Sequence, residues 1–312
     1  MRILIVGAGA IGGYFGGRLL AAGRDVSFLV RAGRAAALAR SGLSIRSPLG
    51  DLDRAAPPTI TADALHEPFD LILLSSKAYD LAGAMTDFAP AVGPKTTILP
   101  VLNGLRHLEV LDARFGAASV LGGQVMISAV LDPEGRIRHL NDTHLLSFGE
   151  RDGARSARVE AIAAALSGAG FEARLSPAIL QEMWEKWVFI AAGAGITCLM
   201  RATVGDVVAA GAADLAAALL DECAAIAARQ GFPPAAAALA RSRAILTAGG
   251  SLLTASMFRD IERRAPTEAD HLIADLLRRG GGKDFPLLRI ADAHLKAYEA
   301  RRSREALSST GL

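Results

Sequence analysis

The chain has 312 residues, 51% hydrophobic and 21% charged, a length that argues for two domains and a core able to fold without disulfides or structural metal. With 34 basic against 32 acidic residues the net charge is +2, which gives no electrostatic footprint for nucleic acid or an anionic membrane. The longest uncharged apolar stretch, Trp187 to Met200, has 14 residues and two glycines, short of the about 20 that a membrane-spanning helix needs.

Glycines punctuate Ile3 to Gly17, so the apolar N-terminus lacks the continuous core of a signal peptide. The two cysteines, Cys198 and Cys223, sit in apolar helical patterns; they make no disulfide framework and fit a reducing cytoplasm. Lysine is scarce: Lys77, Lys95, Lys186, Lys283 and Lys296 are all there are, so a lysine inside a motif carries weight.

Arg2–Val6 reads as a buried strand, followed by a helix over 10–22, a strand over 25–30, and further strands over 69–75 and 96–102. Strands alternating with helices predict a parallel α/β sheet covered on both faces. Two later strands, 120–130 and 136–148, are expected on either side of the turn sequence Asp132-Pro-Glu-Gly135. After Ser176-Pro177, an N-cap and first-turn proline, nearly everything to Tyr298 reads as helix, including 206–230 up to Gly231 and 254–279 despite Pro266, ending at Gly280–Gly282. Arg301–Leu312 is expected to fray. The expected organisation is a Rossmann-type α/β domain, residues 1–177, followed by an all-α domain, residues 178–312.

Gly7-Ala-Gly9-Ala10-Ile11-Gly12 fits the pattern G-x-G-x-x-G, directly after a strand and opening a helix. Gly7 permits the turn, Gly9 lets backbone approach a pyrophosphate, and Gly12 allows close helix–strand packing, so the loop from Gly7 to Gly12 is the expected dinucleotide contact. The second strand runs into Arg31-Ala-Gly-Arg34 with no acid to bind a ribose 2′-hydroxyl, while Asp25 lies at the wrong end. Arginine suits a 2′-phosphate, which favours NADP(H); solvated loop charges are the alternative. Lys77 follows the run LILLSS and Asn103 the run TILPVL, both placed where ligands meet an open α/β sheet.

At this point the sequence resembles the ketopantoate reductase (2-dehydropantoate 2-reductase) family over nearly its whole length. The resemblance is carried by GAGAIGGYFGGRL, the Lys-Ala of SKAYD, the Asn-Gly of LNGL, the Lys of MWEKW, and SMFRDIERRAPTE, in which Ser256, Asp260 and Glu268 keep the family's spacing. It implies a Rossmann domain and an all-helical domain with NADPH and substrate between them, and reduction of ketopantoate to pantoate on the route to coenzyme A. It implies Lys186 as catalytic lysine supported by Glu268, Ser256 and Asn103 as substrate contacts, Lys77 and Asn103 at the cofactor, and Arg31 at the 2′-phosphate. Where well-studied members carry asparagines four and eight residues after the lysine, this chain has Ile190 and Ala194, which leaves Thr197 as the polar group, and a candidate substrate contact, on that helix face. A wider, more apolar pocket beside Lys186 is therefore expected.

A positioned ammonium can polarise a ketone and protonate the alkoxide that hydride transfer creates, and the apolar run after Lys186 should lower its pKa while Glu268 opposes that shift. The alternative is a structural ion pair. His139 and His144 have no third partner at metal-ligand spacing, so no metal is expected; Cys198 and the aromatics Trp184, Trp187 and Phe189 read as core. Three functions stay open: an NADPH-dependent reductase of a small 2-oxo acid, ketopantoate first; a paralogue acting on a more apolar 2-oxo acid or ketone; and a non-catalytic NADPH sensor. A homodimer is the assembly to test.

Overall fold

β1 (Arg2–Val6) and β6 (Leu71–Leu74) are wholly apolar apart from Arg2 and are almost completely buried, as strands covered on both faces must be. A computed structural model describes residues 1–281 and 284–309. The described chain divides into two compact units, Met1–Leu180 and Gln181–Leu312.

In the first unit, β1 lies at the centre of a five-stranded, all-parallel sheet of order β5-β2-β1-β6-β7, with β2 at Asp25–Leu29, β5 at Thr59–Ile60 and β7 at Thr97–Pro100. Helix α1 (Ala10–Ala21) packs on it through Tyr14, Phe15 and Leu19, all fully buried. Close approach explains its glycines: a Cβ at Gly16 would lie 2.5 Å from Phe28 Cε1, and at Gly17 2.8 Å from Leu43 Cδ2. Helices α2 (Ala32–Ser41), α3 (Leu81–Phe88) and α4 (Arg106–Phe115) follow β2, β6 and β7.

Beyond the parallel sheet the sequence reading needs correction. The two long strands expected over 120–130 and 136–148 are four short ones: β8 (Gly122–Met126), β9 (Ala129–Leu131), β10 (Ile137–His139) and β11 (Leu145–Gly149). β9 and β10 pair antiparallel in a four-stranded sheet with β3 (Leu43–Arg46) and β4 (Leu52–Arg54). β8 and β11 pair antiparallel in a three-stranded sheet with β12 (Glu172–Leu175). One hairpin thus changes sheets halfway. The corner is held by Asn141, whose Oδ1 accepts the Ser128 N–H at 2.9 Å, and by the Leu140 N–H to Ser128 O at 2.7 Å. Helix α5 (Ala157–Leu166), capped by Ser156, connects β11 to β12.

The second unit is helical. α6 (Ile179–Met200) starts just after Ser176, whose hydroxyl accepts the Ala178 N–H. Gly195 brings it close to its neighbours: a Cβ there would lie 2.6 Å from Leu219 Cδ2 of α8 (Ala213–Arg229) and 3.5 Å from Ala291 Cβ of α12 (Pro286–Ser309). The helix expected over 206–230 is interrupted: α7 (Val204–Ala209), with a Thr203–Asp206 capping box, ends at Gly211, where φ is +78°, before α8 begins. α9 spans Ala236–Leu246. The helix expected over 254–279 is broken too. α10 (Ser256–Glu262) stops at Arg264, where φ is +55°, and after Pro266 the chain re-enters helix through a π-helical turn, Asp270–Ala274, that continues as α11 (Asp275–Arg279).

The stop at Gly280–Gly282 lies partly outside the described residues, as does Lys283. Arg301–Ser309, expected to fray, belongs to α12, where Arg301–Glu305 and Arg302–Glu299 pairs one turn apart brace a polar helix; residues 310–312 lie outside the description. No helix among the described residues is long and apolar enough to cross a membrane.

Candidate active site

In the first unit the site is set by strand register. Val6 pairs with Leu29 and with Leu74, and Leu74 pairs with Pro100, so four parallel strands end level with one another. The segments that leave these ends carry Gly7–Gly12, Arg31, Lys77 and Asn103, which places these predicted positions along one edge, as expected for an open α/β sheet. Asn103, half-buried, is followed by Gly104 with φ +75°.

Gly7 turns the chain at φ +93°, a value that favours glycine, while its N–H bonds Leu29 O at 3.0 Å. A Cβ at Gly12 would lie 2.1 Å from Gly7 O and 2.3 Å from Ser75 Oγ, so packing alone requires that glycine. Gly9 differs. A Cβ there would meet no protein atom within 4 Å, and no side chain caps α1, nor does any acid stand in its first turn. The protein's own packing gives no reason for Gly9 to lack a side chain, but a pyrophosphate seated on the N–H groups of that turn would. The loop therefore fits a dinucleotide.

Two side chains brace the loop. Ser75 Oγ, at the end of β6, donates to Val6 O at 2.9 Å, and Arg34 Nε donates to Ala8 O at 3.1 Å. Arg34 is thus taken up by the phosphate loop itself, and burial lowers its pKa. Arg31, at the N-cap of α2, is largely exposed and pairs with Asp80 at 2.8 Å. Ser75 and Asp80 did not stand out in the sequence; the polar pair closing LILLSS is the signal for the first, and nothing local marks the second.

His139 and His144 belong to a polar cluster in this unit. Tyr14 Oη lies 2.8 Å from His144 Nδ1, while His139 bonds Ser47, Asn141 and Thr143. Among the described residues no group of His, Cys, Asp and Glu could hold a metal.

In the second unit, α6 carries Lys186. Burial pushes its ammonium down to about 8, with the Glu268 carboxylate acting the other way. Glu268 is buried and starts the turn into the π-helical segment, its carbonyl accepting the Leu272 N–H at 2.9 Å. A lysine and an acid 82 positions apart in sequence are thereby electrostatically coupled. Both cysteines are buried, and burial raises the Cys198 thiol to about 12, which suits a core residue rather than a nucleophile.

Comparison with known proteins settles the relationship. The family model of ketopantoate reductase PanE/ApbA matches residues 3–153, and that of the ketopantoate reductase PanE/ApbA C terminal matches residues 178–299. The chain belongs to the ketopantoate reductase family. Uncharacterized oxidoreductase YkpB of Bacillus subtilis (strain 168) is 38% identical over 97% of this chain and 100% of its own. The crystal structure of 2-dehydropantoate 2-reductase from Geobacter metallireducens GS-15 superposes with a TM-score of 0.86 at 29% identity, covering 95% of this chain and 99% of that one. D-mandelate dehydrogenase in a ternary structure with NADH and anilino(oxo)acetate shares the fold, with a TM-score of 0.86 at 22% identity over 97% and 99% of the two chains. The family is one of oxidoreductases.

Four and eight residues after Lys186, α6 carries Ile190 and Ala194. Ile190 is partly exposed, whereas Ala194 is 2% exposed, so Ala194 is covered by protein and opens no room at the surface. Thr197 is also buried. Its hydroxyl donates to Gly193 O at 2.7 Å and accepts the Ala255 N–H at 3.4 Å, which ties α6 to the residue before Ser256. Thr197 therefore braces the start of α10. Ser256 itself is exposed at the first position of α10.

Proposed function

We propose that this protein is an NADPH-dependent reductase of a small 2-oxo acid, with 2-dehydropantoate (ketopantoate) the first candidate substrate. The observation that carries this reading is the Lys186 ammonium, brought to about 8 by burial with Glu268 opposing. That makes it an acid matched to neutral pH, in a chain that also carries an open dinucleotide loop. When bound, the reduced nicotinamide supplies a hydride. Hydride addition at the carbonyl carbon would move the electron pair of its π bond to oxygen, which then needs a proton. Lys186 hydrogen-bonds the oxygen, polarises the carbonyl and donates the proton; its amine then regains a proton from water. Glu268 keeps the lysine charged and aimed. Gly7 to Gly12, including the N–H groups of Ala10 and Ile11, hold the pyrophosphate. Arg31 reads the 2′-phosphate, Lys77 and Asn103 contact the cofactor, and Asn103 and Ser256 orient the substrate. The two buried thiols suit a reducing cytoplasm.

Ile190 favours a second reading within the same chemistry, a 2-oxo acid with a more apolar side chain than ketopantoate. The test is NADPH oxidation across a series of 2-oxo acids, starting with ketopantoate. Turnover of at least one supports the proposal, and the substrate with the highest kcat/KM decides between the readings. Tight NADPH binding with no turnover of any 2-oxo acid would favour a sensor.

A further inference from the structure

Trp187 follows Lys186 directly, is fully buried, and is among the largest fully buried side chains of the molecule. A residue with that packing needs no polar partner except for its N–H, and the partner it has is informative. Its Nε1–H donates to Leu272 O at 2.9 Å, inside the π-helical turn Asp270–Ala274. In that turn the Asp275 N–H reaches back to Asp270 O, a span of five residues in place of four. The indole thus supplies Leu272 O with a donor from outside the helical ladder. Leu272 in turn donates its N–H to Glu268 O at 2.9 Å.

The ring is clamped as well as bonded. The Arg279 guanidinium lies 5.6 Å from the Trp187 ring centroid, and Arg279 is itself held by the fully buried Asp275 at 2.9 Å. An unbroken path therefore runs from Lys186 through its neighbour's indole to the turn that begins at Glu268. Other charged groups near this path are occupied. Asp275 pairs with Arg278 and Arg279, and Glu185 accepts from Gln181 Nε2 and the Ala235 N–H. Glu182, Asp270 and His271 are the further titratable groups of α6 and the π-turn, and the charge that bears on the lysine is that of Glu268.

We propose that Trp187 is a positioning residue, whose N–H fixes the π-helical turn so that the Glu268 carboxylate stays beside the Lys186 amine. The proposal rests on Lys186 being the proton donor of the reaction above. Without the indole bond the turn relaxes toward ordinary helix, Glu268 retreats, and burial alone governs the lysine.

The scarcity of lysine makes a direct test practicable. With ¹³C-lysine labelling, the Lys186 Cε resonance is assigned by its loss in Lys186→Arg and titrated in the intact protein with no substrate present. Wild type should titrate near 8. Trp187→Phe, and Trp187 replaced by benzothienylalanine, which keeps the ring shape but has sulfur for the N–H, should both titrate about one pH unit lower. Glu268→Gln should move the midpoint in the same direction, and combining it with either Trp187 replacement should add nothing further. The alkaline limb of kcat/KM for ketopantoate should move with the resonance. An unchanged midpoint in the benzothienylalanine protein would overturn the proposal, as would additive shifts in the combined variant, whatever happens to Tm. If the midpoints shift as stated but no 2-oxo acid is turned over, the positioning role stands and the reductase reading falls.

Discussion

In Met1–Leu180 the candidate binding feature is made almost wholly of backbone, whereas in Gln181–Leu312 it is made of side chains drawn from distant segments. The phosphate loop is a contiguous run of six residues whose geometry follows from three glycines and the strand register beneath them. The lysine–acid pair joins α6 to a turn 82 positions later through an indole bond and a π-helical turn. A backbone site of this kind tolerates change everywhere except at its glycines. A side-chain site of this kind depends on supports that touch no ligand.

The sharpest way to break this comparison is to remove the lysine. Lys186→Ala should lower turnover by about 10²–10⁴-fold, the usual worth of a general acid. Its NADPH affinity, measured by fluorescence titration, should be nearly unchanged, because the cofactor loop belongs to the other unit. Comparable losses in both quantities would show that the division of labour is wrong.

Two glycine substitutions separate packing from ligand binding. Gly12→Ala forces a Cβ to within 2.1 Å of Gly7 O and should destabilise the first unit by about 1–3 kcal/mol or more, seen as a fall in Tm. Gly9→Ala meets only open space, so Tm in the absence of cofactor should hold while NADPH affinity falls by about tenfold or more. Equal Tm losses in the two variants would remove the argument that Gly9 is kept for a ligand.

Cofactor choice should show a smaller effect. Arg31 is exposed and shares its guanidinium with Asp80, which weakens its hold on a 2′-phosphate. Arg31→Ala should shrink the preference for NADPH over NADH by about tenfold, read from the two dissociation constants. Equal binding of both cofactors by wild type would contradict the NADPH assignment. Smaller still is the effect expected at Ile190. Selectivity for ketopantoate over an analogue lacking its hydroxyl should fall well short of the about 10⁴-fold that a dedicated hydrogen-bonding site gives, and Ile190→Asn should raise it.

Most of the parallel sheet was legible because buried parallel strands are uniformly apolar, as in RILIV and LILL. The corner at Ser128 and Asn141 was not legible. The apolar pattern runs straight through it, and the change of sheet is made by an amide side chain bonding backbone across the hairpin. Ala-rich helix patterns likewise hid the stop at Gly211, since a single glycine marks a helix end only when its positive φ is known. Lys186 and Glu268 stand out through the resemblance, and with them the expectation that Glu268 opposes the effect of burial on the lysine; the π-helical turn that follows Glu268 is visible only in the fold. Trp187 read as core, and it is core; its single polar atom carries the added role. Spacing places Thr197 on the lysine's helix face but does not report that its hydroxyl bonds Gly193 O and the Ala255 N–H.

The central claim is that the proton of the reaction comes from a lysine held near 8. The most direct measurement is the pH dependence of kcat/KM for NADPH-dependent reduction of the best 2-oxo acid, from pH 6 to 10. The ammonium is the active form, so the rate should be level below about 8 and fall tenfold per pH unit above it. A profile that stays level through pH 9.5 would contradict the account, because a lysine that has lost its proton cannot donate one.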